Sequence, residues 1–570
     1  MIMLIKENLN MNKCILLIII CFVSYGYGQT GERFKKWIDA QEEFPIGAWS
    51  FAWRTSKTQS WFDTYAEANL NMIQVDTNQL KFTKAAGLNA VLGTWDEYFL
   101  PSNRSSLENA IKLANDSANR ISIFILKDDA PNFKKHQFHH YYHQYDFINW
   151  VVNKEIYPKL PSRVITQINF LPNWAVPESR FKVPYNTLVD QGLERCNPSV
   201  VGYSHYPTLK SSDNATSPSY FNNLELFRNR SYDLVGNRGP GIFGFISLVE
   251  WTGGGADSQD TRKSSETDCR WQVNMHLAYG AKGLWWYNYQ IKEKDKDNFG
   301  NGMLEHTTNK KTDLYKIVKD INQTVLNWGD KLMDLESTSV SFMKNKNGGI
   351  PRGVREYKLG DVSSDFDVSG DGGICIARFD YPWNSEWYNI MVVNMQHGGN
   401  NYDQTIFNQK VICKFSDKLA HRRQINPDNG KDEEIQFDTY RNGWFEKEFE
   451  LKGGEALFFT VKKTFNIVLE EFQRFDGENG YYNIDKEFSN IKKIETIYPN
   501  PVEDLLNVNL SDIYYTNYIL YNLEGKVLRN NKIEDGTNKL EVNMSDFSKG
   551  IYLLKIEGVE TSKIFRILKE

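Results

Sequence analysis

Three carboxylates stand out because each follows an apolar run that reads as a buried strand. Asp128 and Asp129 come just after Ile121 to Leu126, and Glu250 closes Ile242 to Val249. Aromatic residues close most of the other runs of this kind: Trp49 and then Trp53 near the first, Trp95 before Asp96 and Glu97 at the third, Asn173-Trp174 at the fifth. Tyr203-Ser204-His205-Tyr206-Pro207 ends the sixth, Glu250-Trp251 the seventh and Trp285-Trp286-Tyr287-Asn288-Tyr289 the eighth. Aromatic faces pack on the apolar faces of a pyranose, while carboxylates and amides bind its hydroxyls. Breaking a glycosidic bond needs one carboxyl group to protonate the leaving oxygen and a second to attack the anomeric carbon or activate water. Asp128 or Asp129 supplies one locus and Glu250 the other, and neither metal nor cofactor is required.

Each of these residues also has a plainer role open to it. Asp128 and Asp129 could cap a following helix, Glu250 could be ion-paired, and His205 could be a satisfied mouth histidine. Glu266 and Asp268 fall in a first helical turn, where the helix dipole favours carboxylates. Trp285 and Trp286 alternate along a strand, so one of them packs between sheet and helices. Gly253-Gly254-Gly255 is a loop and not a phosphate cradle, because no strand-to-helix glycine pattern with Lys follows it.

The elements that must position these groups repeat regularly. Pro45 to Ser50, Met72 to Asp76, Asn89 to Gly93, Ile121 to Lys127, Thr166 to Leu171, Val200 to Tyr206, Ile242 to Glu250 and Leu284 to Tyr289 are short β-branched or aromatic runs. Between them lie stretches of helical period, such as Leu107, Ala110, Ile111 and Ala114, or Trp271, Met275 and Ala278. Eight such strands over about 250 residues predict a closed (β/α)₈ TIM barrel, whose reacting groups belong at the C-terminal strand ends. Ser105 with Glu108 and Ser265 with Asp268 carry capping-box signals, and the segment around Leu80 to Ala86 leaves only a short crossover helix. After a long helix bearing Leu314, Ile317, Val318, Ile321 and Val325 the period becomes that of strands, so a β-sandwich is expected over 329–462, behind a barrel over 29–328. Asp365 to Asp371 faintly resembles a calcium loop but lacks the closing Glu, and reads as a polar hairpin turn. Residues 463–491 read as a linker or sandwich extension.

The ends set the compartment. Lys13 and the apolar run Cys14 to Val23, ending in small residues by Gly28, have the form of a removable signal over 1–28. No later stretch has the roughly 20 apolar residues that spanning a bilayer needs. A net charge of −5 over 570 residues, with 24% charged and no dense Lys/Arg run, gives no basic field for nucleic acid. The four cysteines outside the signal, Cys196, Cys269, Cys375 and Cys413, have no C-x-x-C spacing and read as small buried hydrophobes. From Lys492 onward, short strands with turns predict a small all-β module. Its landmarks Tyr498-Pro499-Asn500-Pro501-Val502, Tyr521-Asn522-Leu523-Glu524-Gly525-Lys526 and Lys549-Gly550-Ile551-Tyr552 resemble the C-terminal sorting domain of the type IX secretion system of Bacteroidetes. The resemblance implies passage through the periplasm and outer membrane by that machinery, then release or attachment at the cell surface.

A second resemblance covers Phe44 to Val340. Phe44-Pro45-Ile46-Gly47-Ala48-Trp49, Leu126-Lys127-Asp128-Asp129-Ala130-Pro131, Ile168-Asn169-Phe170-Leu171-Pro172-Asn173-Trp174, Tyr203-Ser204-His205-Tyr206-Pro207, Tyr220-Phe221-Asn222-Asn223-Leu224-Glu225 and Leu277-Ala278-Tyr279-Gly280-Ala281-Lys282-Gly283 together look like Bacteroidetes glycoside-hydrolase-like barrels labelled β-galactosidase- or cellulase-like. The placement of carboxylates after strands four and seven is similar to that of the retaining (β/α)₈ glycosidases. It implies Asp129 as general acid/base and Glu250 as nucleophile, with Trp49, Trp95, Asp128, Asn173, Trp174, His205, Tyr206, Trp251 and Trp285 lining the sugar subsites. The chain departs from the family pattern twice: Asp129-Ala130 stands where a Glu is usual, and Ser204 where an Asp is usual. Retracting the acid by one methylene matters, since a misplacement of roughly 1 Å can cost about 100-fold in rate. The resulting expectation is a secreted glycoside hydrolase of retaining type. A surface glycan-binding protein on a barrel that has lost activity is the first alternative, and a polysaccharide lyase using His205 or Tyr206 the second.

Overall fold

In the computed structural model the described residues run from 32 to 569, apart from 51–56, 94–103, 131–144, 146–147, 149–151, 177, 211–218, 232–238, 253–259, 292–297, 345–349, 382–383, 401–402, 464–495, 499–501, 511–514, 523–525, 535–536, 538 and 559–561. Trp53, Trp95, Asp96, Glu97, Gly253 to Gly255, the signal and the 463–491 segment beyond Lys463 therefore lie outside the described residues.

Eight parallel strands close into a barrel in chain order: β1 (Ile46–Ser50), β2 (Met72–Gln74), β3 (Asn89–Leu92), β4 (Ile121–Ala130), β5 (Ile165–Phe170), β6 (Val200–Tyr203), β7 (Gly241–Ser247) and β8 (Gly283–Gln290). The ring is sealed by β1 against β8, with Gly47 opposite Trp285. Gly47 is required there, because a Cβ would meet Trp285 at 2.5 Å and the Met72 carbonyl oxygen at 2.8 Å. Along each strand alternate residues face the two sides. Met72, Ile123, Ile125, Ile165, Phe243 and Phe245 fill the interior with Trp49 and Trp285, while Ile73, Ala90, Leu92, Phe124, Leu126 and Ile168 join the layer beneath the helices. The interior is packed and not a pore.

The N-terminal end of the barrel is closed by a helical turn at residues 32–38, whose Phe34, Trp37 and Ile38 enter the interior cluster. Phe34 occupies the space that a side chain at 241 would need, its Cζ standing 2.2 Å from a Cβ built on Gly241. Arg33 pins this plug by donating to the carbonyls of Pro161 and Val164. With one end plugged, ligand access belongs to the other.

The helices follow the expected apolar stripes. Helix Glu266–Ala278 begins on the capping box of Ser265 and Asp268, and the crossover helix Leu80–Ala85 is short. Helix Arg104–Asn115 starts before Ser105, which therefore sits inside the first turn and not at the cap. Cys196, Cys269, Cys375 and Cys413 are buried and form no disulfide with one another.

After the long helix Asp313–Asp334 the chain turns to antiparallel strands. Six of them (Glu336–Met343, Ile374–Tyr381, Asn384–Asn394, Leu419–Ile425, Asp432–Glu434 and Ala456–Lys463) make one sheet, and Phe366–Gly370, Gln409–Ser416, Thr439–Arg441 and Trp444–Leu451 make another. Ile374, Ile376 and Phe459 of the first sheet meet Val368 and Val411 of the second, forming the core of a sandwich. Their neighbours Cys375, Ala377 and Phe379 face the opposite way into the barrel's helix layer. This period-two division makes the six-stranded sheet apolar on both faces, and it ties barrel and sandwich into one compact unit ending at Asn466. Phe366–Gly370 is a strand paired with Gln409–Ser416, so the expected hairpin turn at 365–371 is corrected: Phe366 and Val368 are core residues and draw the segment into the sheet.

The remaining unit carries a three-stranded sheet (Thr496–Tyr498, Leu505–Asn509, Lys539–Asn543) and a four-stranded sheet (Tyr515–Asn522, Val527–Lys532, Gly550–Gly558, Ser562–Lys569) around Leu506, Val508, Leu520, Val542, Leu554 and Ile567.

Candidate active site

The C-terminal half of β4 departs from a regular strand. Its register against β5 slips between Ile125 and Lys127 and again between Lys127 and Ala130, and Asp129 takes a left-handed backbone with φ 51°. Strict alternation would send Asp128 and Asp129 to opposite faces. The left-handed residue breaks that rule, and both side chains line one cavity of about 240 Å³ at the C-terminal end of the barrel. Aspartate tolerates this conformation better than most residues, though at a cost in strain.

Asn169 on β5 and Ser204 after β6 meet the carboxyl pair at the cavity. The Asn169 amide donates to Asp128 Oδ1 at 2.8 Å and to Ser204 Oγ at 2.8 Å. The walls are aromatic: Trp49 from β1, Trp174 after β5, Trp251 after β7 and Phe299. Tyr206 and Tyr287 complete them as a stacked pair with ring centroids 5.2 Å apart. Phe245, Leu171, Pro172, Ala175 and Thr261 fill in between.

Burial raises the carboxyl groups above their ordinary range. For Asp129 loss of solvent is the largest cause and the charge of Asp128 beside it the second, and against the opposing pull of Lys127 they push its pKa up to about 8. Asp128 is also raised by burial, while the Asn169 hydrogen bond and Lys127 act the other way. The pair titrates as a unit and retains a proton near neutral pH.

Several expected site residues stand elsewhere. Asn173, His205 and Trp285 do not line the cavity. His205 is fully buried, with Nδ1 2.7 Å from the Asn223 amide nitrogen, and that amide also donates to Asn173 Oδ1 at 3.0 Å. This chain lies behind Trp174, whose ring meets the His205 ring edge-on at 6.4 Å. Burial, aided by His276, lowers the His205 pKa to about 3, so the imidazole is neutral. Trp285 is inside the barrel beneath Trp49, edge-on at 5.5 Å, and Trp286 faces outward, donating to Asn322 of helix Asp313–Asp334.

Glu250 also lies off the cavity lining. Its Oε1 is 2.7 Å from Lys210 Nζ, and its side chain is 42% exposed. The cause is local. Trp251 bridges Thr261 and Phe299 as extended chain, and period two then turns Glu250 outward as Trp251 turns in. The expected pairing of Asp129 and Glu250 over one cavity thus meets a Glu250 that pairs with Lys210 and is absent from the cavity lining.

Asn169, Tyr287, Phe245, Phe299 and Thr261 join the site without having been singled out as ligand-binding residues. A signal for Asn169 existed. Gln167 and Asn169 are polar residues two apart in the strand Ile165–Phe170, whose other polar residue, Thr166, lies between Ile165 and Gln167 and bonds Tyr157 on the opposite face, so the pair has the spacing of an interior-facing polar row.

Residues 496–570 match the family described as the secretion system C-terminal sorting domain. The C-terminal module is a secretion sorting domain. It marks the chain for export, to secretion or surface attachment. Among the curated proteins no match is found. Solved structures similar to this chain include three that follow. A GH42 β-galactosidase from G. stearothermophilus is 8% identical at TM-score 0.42, over 74% of this chain and 99% of that one. A glycoside hydrolase family 30 subfamily 8 xylanase from Clostridium acetobutylicum is 12% identical at TM-score 0.35, over 74% and 97%. A glucosidase from Croceicoccus marinus is 12% identical at TM-score 0.34, over 70% and 91%. No helix among the described residues is long and apolar enough to cross a membrane.

Proposed function

We propose that the barrel mouth binds an extracellular poly- or oligosaccharide and cleaves its glycosidic bonds, with Asp129 as the proton donor. The supporting observation is a carboxyl group that keeps its proton near neutral pH on an aromatic-walled cavity. A general acid must be protonated at the working pH and within reach of the leaving oxygen, and burial beside a second carboxyl serves the first need. Asp128, oriented by Asn169, is the charge partner that stabilises the developing oxocarbenium ion. Trp49, Trp174 and Trp251 supply the stacking faces, and His205 with Asn173 holds the loop that carries Trp174. For Glu250 to act as the nucleophile of a retaining mechanism it must first leave Lys210. In keeping with the sorting domain, the site works after passage through the periplasm and across the outer membrane by the type IX machinery.

The second reading, glycan binding without cleavage, is favoured by one observation, the outward pairing of Glu250 with Lys210. A lyase has less support. His205 lies off the cavity, and burial raises the Tyr206 phenol well above its ordinary range, which opposes its use as a base. The test is a polysaccharide screen of the mature protein followed by mass analysis of products. Hydrolysis products that vanish in Asp129→Asn support the proposal, and tight binding without product after long incubation selects the binding reading.

A further inference from the structure

Resting on the carbohydrate reading above, the floor of the cavity narrows the substrate class. Both amide hydrogens of Asn169 are spent, one on Asp128 and one on Ser204, so its nitrogen side is satisfied. Its Oδ1 is buried and takes no hydrogen bond from the protein. A buried acceptor left without a donor is destabilising, so a ligand or an ordered water is expected to supply one. Asp128 and Asp129 add carboxyl oxygens to the same cavity, and among the described residues they are the charged side chains that line it. The nearby cation Lys127 is buried and offsets the pair only in part. Around this acceptor-rich floor stand Trp49, Trp174 and Tyr206. Carboxylates surrounded by aromatic faces are the chemistry that recognises an ammonium group, through charge, several N–H donors and cation–π attraction.

We infer that the cavity selects a cationic amino sugar, a hexosamine with a free ammonium group, over the matching neutral sugar. The ammonium sits against the Asp128 carboxylate, which Asn169 orients, while the ring packs on tryptophan. A cation beside Asp128 stabilises its charged form, so the proton of the pair stays on Asp129, where the leaving oxygen needs it. A neutral sugar lacks this charge.

Isothermal calorimetry on the mature protein at pH 6 tests this, using glucosamine and galactosamine oligosaccharides, their N-acetylated forms and the matching glucose and galactose oligomers. The expected result is at least tenfold tighter binding of the free-amine oligomers, with a binding enthalpy independent of buffer ionisation, because Asp129 keeps its proton. The tenfold preference is expected to shrink in Asp128→Asn, an isosteric change, and at high salt, which needs no variant. Equal or tighter binding of the neutral oligomers overturns the inference and leaves the carbohydrate reading standing. Failure of every oligomer to bind overturns both. Preference for the amine accompanied by proton release places the ammonium beside an ionised Asp129 and overturns the role of Asp129 as proton donor.

Discussion

The rims that follow β4 and β7 both present an acidic residue beside the barrel mouth, and the chain treats them oppositely. After β4 a left-handed Asp129 turns two neighbouring carboxyls onto one cavity, where burial keeps a proton on the pair. After β7 a regular extended bridge at Trp251 sends the tryptophan inward and Glu250 out to Lys210 in solvent. The same side-chain chemistry thus becomes a proton store at one rim and a surface ion pair at the other. Backbone conformation, more than residue type, decides which. Strained backbone at the first rim is of the kind that persists where a site over-determines it.

The largest expected effect separates the two rims by activity. Asp129→Asn keeps the side chain's size and an amino acid that tolerates φ 51°, but removes the transferable proton. Turnover on any glycan that the wild type cleaves is expected to fall by about 100- to 10,000-fold, as loss of a general acid does, with affinity largely kept. Steady-state kinetics with product analysis checks it, and a variant within a few-fold of wild type would remove Asp129 from the chemistry.

Next in size is the barrel interior beneath the cavity wall formed by Trp49. Trp285 is wholly buried against Trp49, with Gly47 opened to receive it. Trp285→Ala is expected to cost about 3–5 kcal/mol of unfolding free energy and to loosen Trp49 as well. Denaturant unfolding measures the first, and loss of glycan affinity the second. A cost below about 1 kcal/mol would mean that the interior collapses around the gap.

That interior also shows how far the chain's pattern could be followed from its residues alone. Apolar runs at regular intervals locate all eight barrel strands because both faces of a parallel sheet are buried, which leaves a strong signal. The sorting module was equally legible through its turn motifs. The site was less so. That Asp128 and Asp129 share a cavity depends on one residue's φ, which no side-chain periodicity encodes. His205 and Trp285 sit at the expected strand ends, yet their side chains were drawn into interior packing. Asn169 shows itself in the sequence only through the polar row that it forms with Gln167, a weaker signal than a carboxylate at a strand end.

A smaller effect comes from linkage. The folded-state pKa of Asp129, about 8, lies above the ordinary carboxyl value, so the folded chain holds this proton more tightly than the unfolded chain does. Its contribution to stability is fully present below about pH 4 and is lost as the pH rises through about 8, with a slope of at most about 1.4 kcal/mol per pH unit. Asp129→Asn is expected to flatten that slope and to gain on the wild type at alkaline pH. Chemical denaturation from pH 5 to 9 gives the two curves, and parallel curves would contradict the raised value.

The smallest effect belongs to the β7 rim and closes the comparison. Exposed ion pairs add little to stability because water solvates both partners nearly as well apart as together, so Lys210→Ala is expected to leave the melting midpoint unchanged. Glu250→Gln tests more. If Glu250 is only the partner of Lys210, turnover barely changes, and the contrast with Asp129→Asn assigns the chemistry to the β4 rim. If turnover is abolished while glycan affinity survives, Glu250 must reach the anomeric carbon during catalysis. The ion pair would then be a resting position that substrate opens, and Lys210→Ala should raise turnover by freeing the carboxylate. Measuring both variants on one substrate distinguishes a fixed surface pair from a nucleophile held in reserve.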